Sequence, residues 1–522
     1  MGVETLNEDT LTLVVSYLGS VDAHRLSSTA RLFHGVARVH ALKDVTIHSF
    51  PKVIKFCDYM LQDGRDRLSS LRALRIQCFV ENEHRLAQQE PRFHQHSEGE
   101  YRAGAGLLAD LLQEIPDLRV LVLHQAEVWM MYERRIVTVV SAMRRLDELG
   151  LTDIGPQVSD TLHSLQSAPR KLALADAVQW SLPHNSVPHM WRLDGANLSF
   201  PSVRSLLIRA PHHLPAAPDL ARIFPNTREL DFGELHTTHF PVLFGPQPPH
   251  ARLVDWPSLE VVRATGFALK WWKNAHPVHC LELLSPLRKM DNSSVGVRQL
   301  NPAAERDDAL MAVANVQPVA LIAILSTRLG DRYLRQLFTK TRRLRYVSAE
   351  IWDVHRFETW LPDLNKWWSL VRGTFSRYPP IVCLKVRCSV LREPLPRSDT
   401  EQTGSDPTGA PATYAEALEA ILAALPEWAT SVPTLRYVSL DLRSTSPALK
   451  DHRRMTAIGN GIPRPEDDKS AKDENLHWWQ IEGDGDGRVA QLLAPAQGER
   501  IAAFLCSSRY DWQTDLDAQP IV

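Results

Sequence analysis

The sequence predicts an α/β chain: an N-terminal unit of three short helices, then an irregular solenoid of parallel strands and helices. Three observations predict it. Apolar residues fall at helical spacing between Leu11 and Ala37, a short apolar pattern of period two recurs from about Val45 to Leu440, and helix-like segments lie between its instances. A chain of 522 residues would otherwise suggest three or four domains, a rule that repeat architectures break.

The N-terminal unit comes first. Leu11, Val14, Val15 and Leu18 fall at i, i+3, i+4 and i+7, one face of an amphipathic helix. Asn7 or Thr5 can cap it, and Glu8 and Asp9 suit the positive end of its dipole. Gly19-Ser20 ends it. Asp22 then caps a second helix carrying Leu26, and Ala30, Phe33, Val36 and Ala37 supply a third apolar stripe. Three short helices bury little surface and gain from packing on a partner.

Residue by residue, this stretch resembles an F-box. That family opens with Leu-Pro and an acid, continues with an Ile-Leu-Ser-Tyr-Leu core and an Asp-Leu segment, and closes with Val-Ser-Lys-x-Trp. Here Leu6 and Asp9 match the opening, and Val14-Val15-Ser16-Tyr17-Leu18 matches the core. Asp22-Ala23 matches the second segment, and Thr29-Ala30-Arg31-Leu32-Phe33 the last, without a gap. Asn7 replaces the Pro, Thr10 an apolar residue, Ala23 a Leu and Thr29 a Val. The resemblance implies docking on the Skp adaptor of a cullin-based ubiquitin ligase through Leu6, Asn7, Leu11, Val14, Val15, Leu18 and Leu26. Because Leu-Pro contacts the adaptor in that family, Asn7 implies weaker docking.

Beyond Val45 the recurring pattern is apolar-x-x-apolar-x-apolar. Instances are Leu71/Leu74/Ile76, Leu118/Leu121/Leu123, Leu146/Leu149/Leu151, Val203/Leu206/Ile208, Leu259/Val262/Ala264 and Val278/Leu281/Leu283. Val319/Ile322/Ile324, Leu344/Val347/Ala349, Ile381/Leu384/Val386 and Leu435/Val438/Leu440 follow. The last two positions alternate as in a strand; the first belongs to the entering turn. Pro often stands shortly before it, at Pro116, Pro201, Pro225, Pro257, Pro277, Pro318, Pro380 and Pro433, ending the previous helix and forcing an extended entry. Helix-like stretches run over Ala103–Glu114, Glu133–Arg144, Leu329–Thr339 and Tyr414–Leu425. The pattern resembles the core of a leucine-rich repeat, irregularly spaced and without the Asn that normally bonds the following turn. The implied organisation is an F-box over 1–45, a repeat-like target-binding domain over 46–510 and a polar tail over 511–522. Loops are expected at Gln77–Gly99, and disordered ones at 392–413 and 460–474.

Composition excludes several classes. The net charge is −2, which gives no global footprint for nucleic acid or an anionic membrane. No apolar run approaches the ~18 residues needed to cross a bilayer. The six cysteines are scattered without a Cys-x-x-Cys pair, against a disulfide framework or zinc module and in keeping with a reducing compartment. Cys383 and Cys388, five apart, fall on opposite faces of a strand. The run from Glu482 to Val489 has oxygen ligands at EF-hand spacing, but Leu493 stands where a bidentate Glu belongs, so a tight turn between strands is expected. Pairs such as His94/His96, His236/His239, His276/His279 and His212/His213 lack cysteine partners at zinc spacing. No nucleophile elbow or phosphate loop occurs. In the pairs Trp271-Trp272, Trp367-Trp368 and Trp478-Trp479, neighbours cannot share one face, so one member packs and the other reaches a second surface. Core and inter-repeat packing is favoured over an exposed interface, and Lys270, Lys273, Lys366 and Arg372 nearby fit either an acidic partner peptide or a solvated rim.

The expectation is a non-enzymatic, cofactor-free, cytoplasmic or nuclear substrate receptor that binds the Skp adaptor and an unknown protein target, without nucleic acid or membrane. The alternatives are a repeat scaffold with no ligase role and a cryptic α/β hydrolase.

Overall fold

A computed structural model describes residues 7–29, 31–62, 65–78, 98–175, 198–209, 217–233, 252–269, 272–287, 302–325, 331–351, 357–375, 381–391, 414–445, 476–483 and 485–514. The fold is mixed α/β, and its strands are mostly parallel. The chain divides into two compact units, Met1–Thr227 and Arg228–Val522. The expected loops at 392–413 and 460–474, and most of Gln77–Gly99, lie outside the described residues.

The first unit opens with helices α1 (Glu8–Ser16), α2 (Ser20–Thr29) and α3 (Arg31–Lys43). Six strands follow: β1 (Asp44–Ile47), β2 (Ala73–Ile76), β3 (Val120–Leu123), β4 (Glu148–Thr152), β5 (Lys171–Ala175) and β6 (Ser205–Arg209). Each pairs in parallel with the next in sequence. Parallel neighbours require a crossover, and helices such as Phe50–Gln62, Glu98–Glu114, Arg135–Ala142 and Pro156–His163 lie between them. The register stacks Val45, Leu74, Leu121, Leu149, Leu172 and Leu206 in one row, and Ile47, Ile76, Leu123, Leu151, Leu174 and Ile208 in the next. Apart from Val45, all are buried, each worth about 2 kcal/mol of transfer free energy.

In the second unit β7 (Glu229–Asp231), β9 (Val261–Ala264), β11 (Cys280–Leu287), β12 (Ala320–Leu325), β13 (Tyr346–Ile351), β14 (Cys383–Leu391) and β15 (Tyr437–Thr445) are parallel neighbours in that order. β8 (Arg252–Val254) and β10 (Trp272–Asn274) form a separate parallel pair. Two antiparallel strands, β16 (Leu476–Glu482) and β17 (Val489–Leu493), complete the run after β15. Their connection is the glycine-rich stretch read as a tight turn: Gly483 and Gly485 have φ of 84° and 58°, a left-handed backbone that favours glycine.

A turn the sequence reading did not find recurs ahead of the strands. The amide of the first apolar position donates to the carbonyl three residues earlier: Leu71 to Leu68, Leu118 to Ile115, Val203 to Phe200, Thr227 to Phe224, Leu259 to Trp256, Leu344 to Thr341 and Leu435 to Val432, all at 3.1–3.4 Å. Every accepting residue is buried. The period is thus a buried residue at i, i+3, i+6 and i+8, apolar except at Thr227 and Thr341, and its entering turn is closed by backbone.

Nine of the ten expected apolar triplets are buried in place. The tenth is shifted by one. On β12 the core residues are Leu321 and Ala323, while Ile322 and Ile324 are half-buried, because Leu281 and Val347 on the neighbouring strands register with Leu321. A one-residue slip exchanges the faces of a strand. The helix expected to stop at Leu425 continues to Thr430 through Pro426.

The other strand face of the second unit is covered by the chain's own C-terminal helix, Pro495–Leu505, and the turn after it. Ile501, Ala502, Leu505 and Tyr510 pack on Cys280, Ala320, Tyr346, Cys383, Tyr437 and Trp478. Lys385 Nζ meets Glu499 Oε1 at 2.6 Å, and Trp478 Nε1 donates to the same oxygen at 3.3 Å. His279 Nε2 donates to Leu505 O at 2.9 Å. Arg343 and Arg345 lie over the Trp512 ring at 5.2 and 4.9 Å. Of the expected polar tail, residues 511–514 are described and Trp512 packs inward; 515–522 lie outside the described residues.

Where both side chains of a Trp pair are described, both are packed: the favoured core reading agrees with the structure, and neither member reaches an exposed surface. Trp367, Trp368, Trp478 and Trp479 are all buried. β16 is packed by the Tyr414–Thr430 helix as well as the C-terminal helix, so neither face is free. Trp368 also stacks on Trp428 at 5.7 Å. Cys383 and Cys388 are both buried for the same reason: each face of β14 is covered. The side chains of Trp271 and Trp272, and Lys270, lie outside the described residues.

Candidate functional site

The N-terminal helices are the candidate docking site. Asn7 is the N-cap of α1: its Oδ1 accepts from Thr10 N at 2.9 Å and from Thr10 Oγ1 at 2.6 Å. A side chain that caps and a Pro cannot both occupy this position, so the departure from Leu-Pro has a local physical role. α2 begins at Ser20, and Asp22 lies in its first turn, where it pairs with Arg25 at 3.2 Å instead of capping.

The core of the three helices is small. Val15, Ala23 and Ala37 are fully buried, with Leu18, Leu26, Phe33, Val36 and Ala41 packed around them. Two histidine bonds tie the helices: His34 Nδ1 to Ser27 O and His40 Nε2 to Leu18 O, each 3.0 Å. Arg38 Nε on α3 donates to Tyr59 Oη at 3.1 Å, joining the module to the helix after β1.

The structure sorts the expected adaptor residues into three groups. Leu11 and Val15 are buried at 3% and 0%, so they hold the module together and present no direct contact surface. Leu18 and Leu26 are half-buried, and Val14 and Asn7 are exposed. Leu6 lies outside the described residues. Leu13, Tyr17 and Val21 are 57%, 82% and 62% exposed and are not among the expected adaptor residues. Leu13 and Tyr17 are four apart, so they share a helix face of their own next to Val14. That spacing was readable, but the stronger stripe through Leu11 and Val15 obscured it.

Elsewhere burial shifts several of the described titratable groups. Burial pushes the Cys57 thiol up to about 12, and raises Cys383 as well. Cys280 is raised by its hydrogen bond to Cys506 and then by burial. Burial lowers His279 and holds His124 down to about 4. Among the described residues no group of three His, Cys, Asp or Glu side chains is placed to hold a metal. No described helix is long and apolar enough to cross a membrane.

No protein-family model matches the chain, and no curated protein matches it either.

Proposed function

We propose that the chain is the substrate-recognition subunit of an SCF-type ubiquitin ligase. The N-terminal helices dock on the Skp adaptor, and a leucine-rich-repeat-like array of parallel strands and helices receives a protein target. The reaction needs no catalytic residue here: the ligase holds its target near the charged ubiquitin carrier, and proximity does the rest.

The observation that carries this reading is the apolar row Leu13, Val14, Tyr17 and Val21, exposed on a module whose own core centres on Val15, Ala23 and Ala37. Aromatic and aliphatic side chains in solvent mark a surface that gains by being covered. Its coincidence with the F-box-like segment is what selects the adaptor as the partner. The four-position period and its recurring backbone turn support the repeat reading of the rest.

Co-purification with the Skp adaptor tests the proposal. Full-length protein should retain the adaptor, and Val14→Asp/Tyr17→Asp should lose it without lowering the melting temperature, because both side chains are exposed. Equal recovery of adaptor with wild type and variant would overturn it.

A further inference from the structure

One position of the repeat carries a charge pattern of its own. In the first unit the residue just before each strand is Lys43, Arg72, Arg119, Asp147, Arg170 and Arg204. These are equivalent positions, because their backbones form a continuous ladder. Arg72 N bonds Lys43 O at 3.0 Å, Arg119 N bonds Arg72 O at 2.8 Å, Asp147 N bonds Arg119 O at 2.7 Å, and Arg170 N and Arg204 N continue it at 2.8 Å each. With strands about 4.8 Å apart, the row runs about 24 Å along the edge where the strands begin.

Its side chains are accessible. Lys43, Arg119, Arg170 and Arg204 are exposed and Arg72 is half-buried. The one acid in the row, Asp147, pairs with Arg119 at 3.3 Å. The Arg204 guanidinium is oriented by donating to Asn226 O at 3.0 Å. Lys171 adds a further exposed cation one residue on. In a chain of net charge −2 this is a local excess. The matching positions of the second unit are Arg228, Glu260, His279, Val319, Arg345, Val382 and Arg436; no two cations are adjacent among them, and Arg228 pairs with Glu260 at 3.6 Å.

We propose that this arginine row is a docking surface for an extended, carboxylate-rich segment of a protein partner. Guanidinium forks suit carboxylates in particular, because each can take a bidentate pair. Two features favour an acidic peptide over a nucleic acid strand. Asp147 and, on the next residue row, Asp44 and Glu148 interrupt the cations, Asp44 being paired with Arg75; a peptide can match such interruptions with a neutral residue and a continuous phosphodiester cannot. Neither row contains an aromatic side chain on which bases could stack. Only Lys43, the last residue of α3, is shared with the helical module; the other members of the row lie at the strand entries, away from Val14 and Tyr17.

The test is fluorescence anisotropy with full-length protein and a short fluorescein-labelled peptide of alternating Glu and Ser. The peptide should bind, its Gln/Ser counterpart should not, and added salt should weaken the complex. Arg170→Ser/Arg204→Ser should weaken binding about tenfold, the scale of two exposed ion pairs. Lys43→Ser/Arg119→Ser, at the other end of the row, should weaken it as well. Lys366→Ser and Val14→Asp should leave it unchanged, and all variants should melt as wild type does. Undiminished binding by both double variants would overturn the proposal, as would an oligothymidylate of equal charge binding more tightly than the peptide.

Discussion

Asp153 makes the first unit less stable at neutral pH than it need be. It follows β4 with a left-handed φ of 63°, and its carboxyl is pushed up to about 6 by burial first and by the Glu127 charge second. Glu127 occupies the better place: its two oxygens accept from Gln157 N at 3.1 Å and Val158 N at 3.0 Å, at the start of the Pro156–His163 helix. The folded state therefore binds the Asp153 proton more tightly than the unfolded chain does. Between about pH 4 and 6 the folded state holds more protons, so stability falls as pH rises and stays reduced above pH 6. A rise from 3.8 to about 6 corresponds to about 3 kcal/mol, and partial exposure to solvent brings the figure nearer 2 kcal/mol. Asp153→Asn removes the charge, keeps the shape and tolerates the left-handed backbone. Urea unfolding should show the variant about 2 kcal/mol more stable at pH 8 and equal to wild type near pH 3.5. His124 shifts stability in the opposite direction over part of this range, but it is common to both proteins and cancels in the difference. A gain of the same size at both pH values would refute the electrostatic argument, and a loss at pH 8 would refute the assignment of strain to the charge.

Three other expectations follow from single contacts. Arg488 is buried and donates to the carbonyls of Thr430, Val432 and Leu435, so Arg488→Met should cost about 2–4 kcal/mol by urea unfolding, with Lys unable to restore all three bonds. Gly498 faces the Trp478 ring, and a Cβ there would lie 2.2 Å from it, so Gly498→Ala should loosen the C-terminal helix by about 1–3 kcal/mol and speed its cleavage in limited proteolysis. Asn7→Ala should cost about 1 kcal/mol of stability in the helical module, read as faster amide exchange in α1.

The strand positions were legible in the sequence wherever polar residues separate the apolar ones. They were lost where that contrast fails. β12 lies in a run of apolar residues from Pro318 to Leu325, so no alternation fixes its register, and the neighbouring strands decide it. β5 and β7 escaped notice because Pro169 and Thr227 fill the slot where an aliphatic residue was sought. What covers both members of the Trp pairs was not legible, since it depends on a helix far away in sequence. In α1 the apolar stripe was read correctly as helical, but its width was overestimated: Leu11 and Val15 face inward and Val14 outward. The arginine row was visible in the repeated Arg after the first apolar position, at Arg72, Arg119 and Arg204, yet only the backbone ladder shows that these residues are neighbours.

The C-terminal cover on the second unit sets a timetable for making the protein. His279 and its partner Leu505 are 226 residues apart. At ~5–20 residues per second, β11 leaves the ribosome roughly ten to forty-five seconds before the helix that shields it. Through that interval Tyr346, Cys383 and Tyr437 emerge one after another onto a face that the C-terminal helix has yet to cover. The second unit thus passes through an obligatory stage with bare apolar surface, when a chaperone has most to offer. A nonsense codon just before Pro495 would make that stage permanent, although it removes only the last small fraction of the chain.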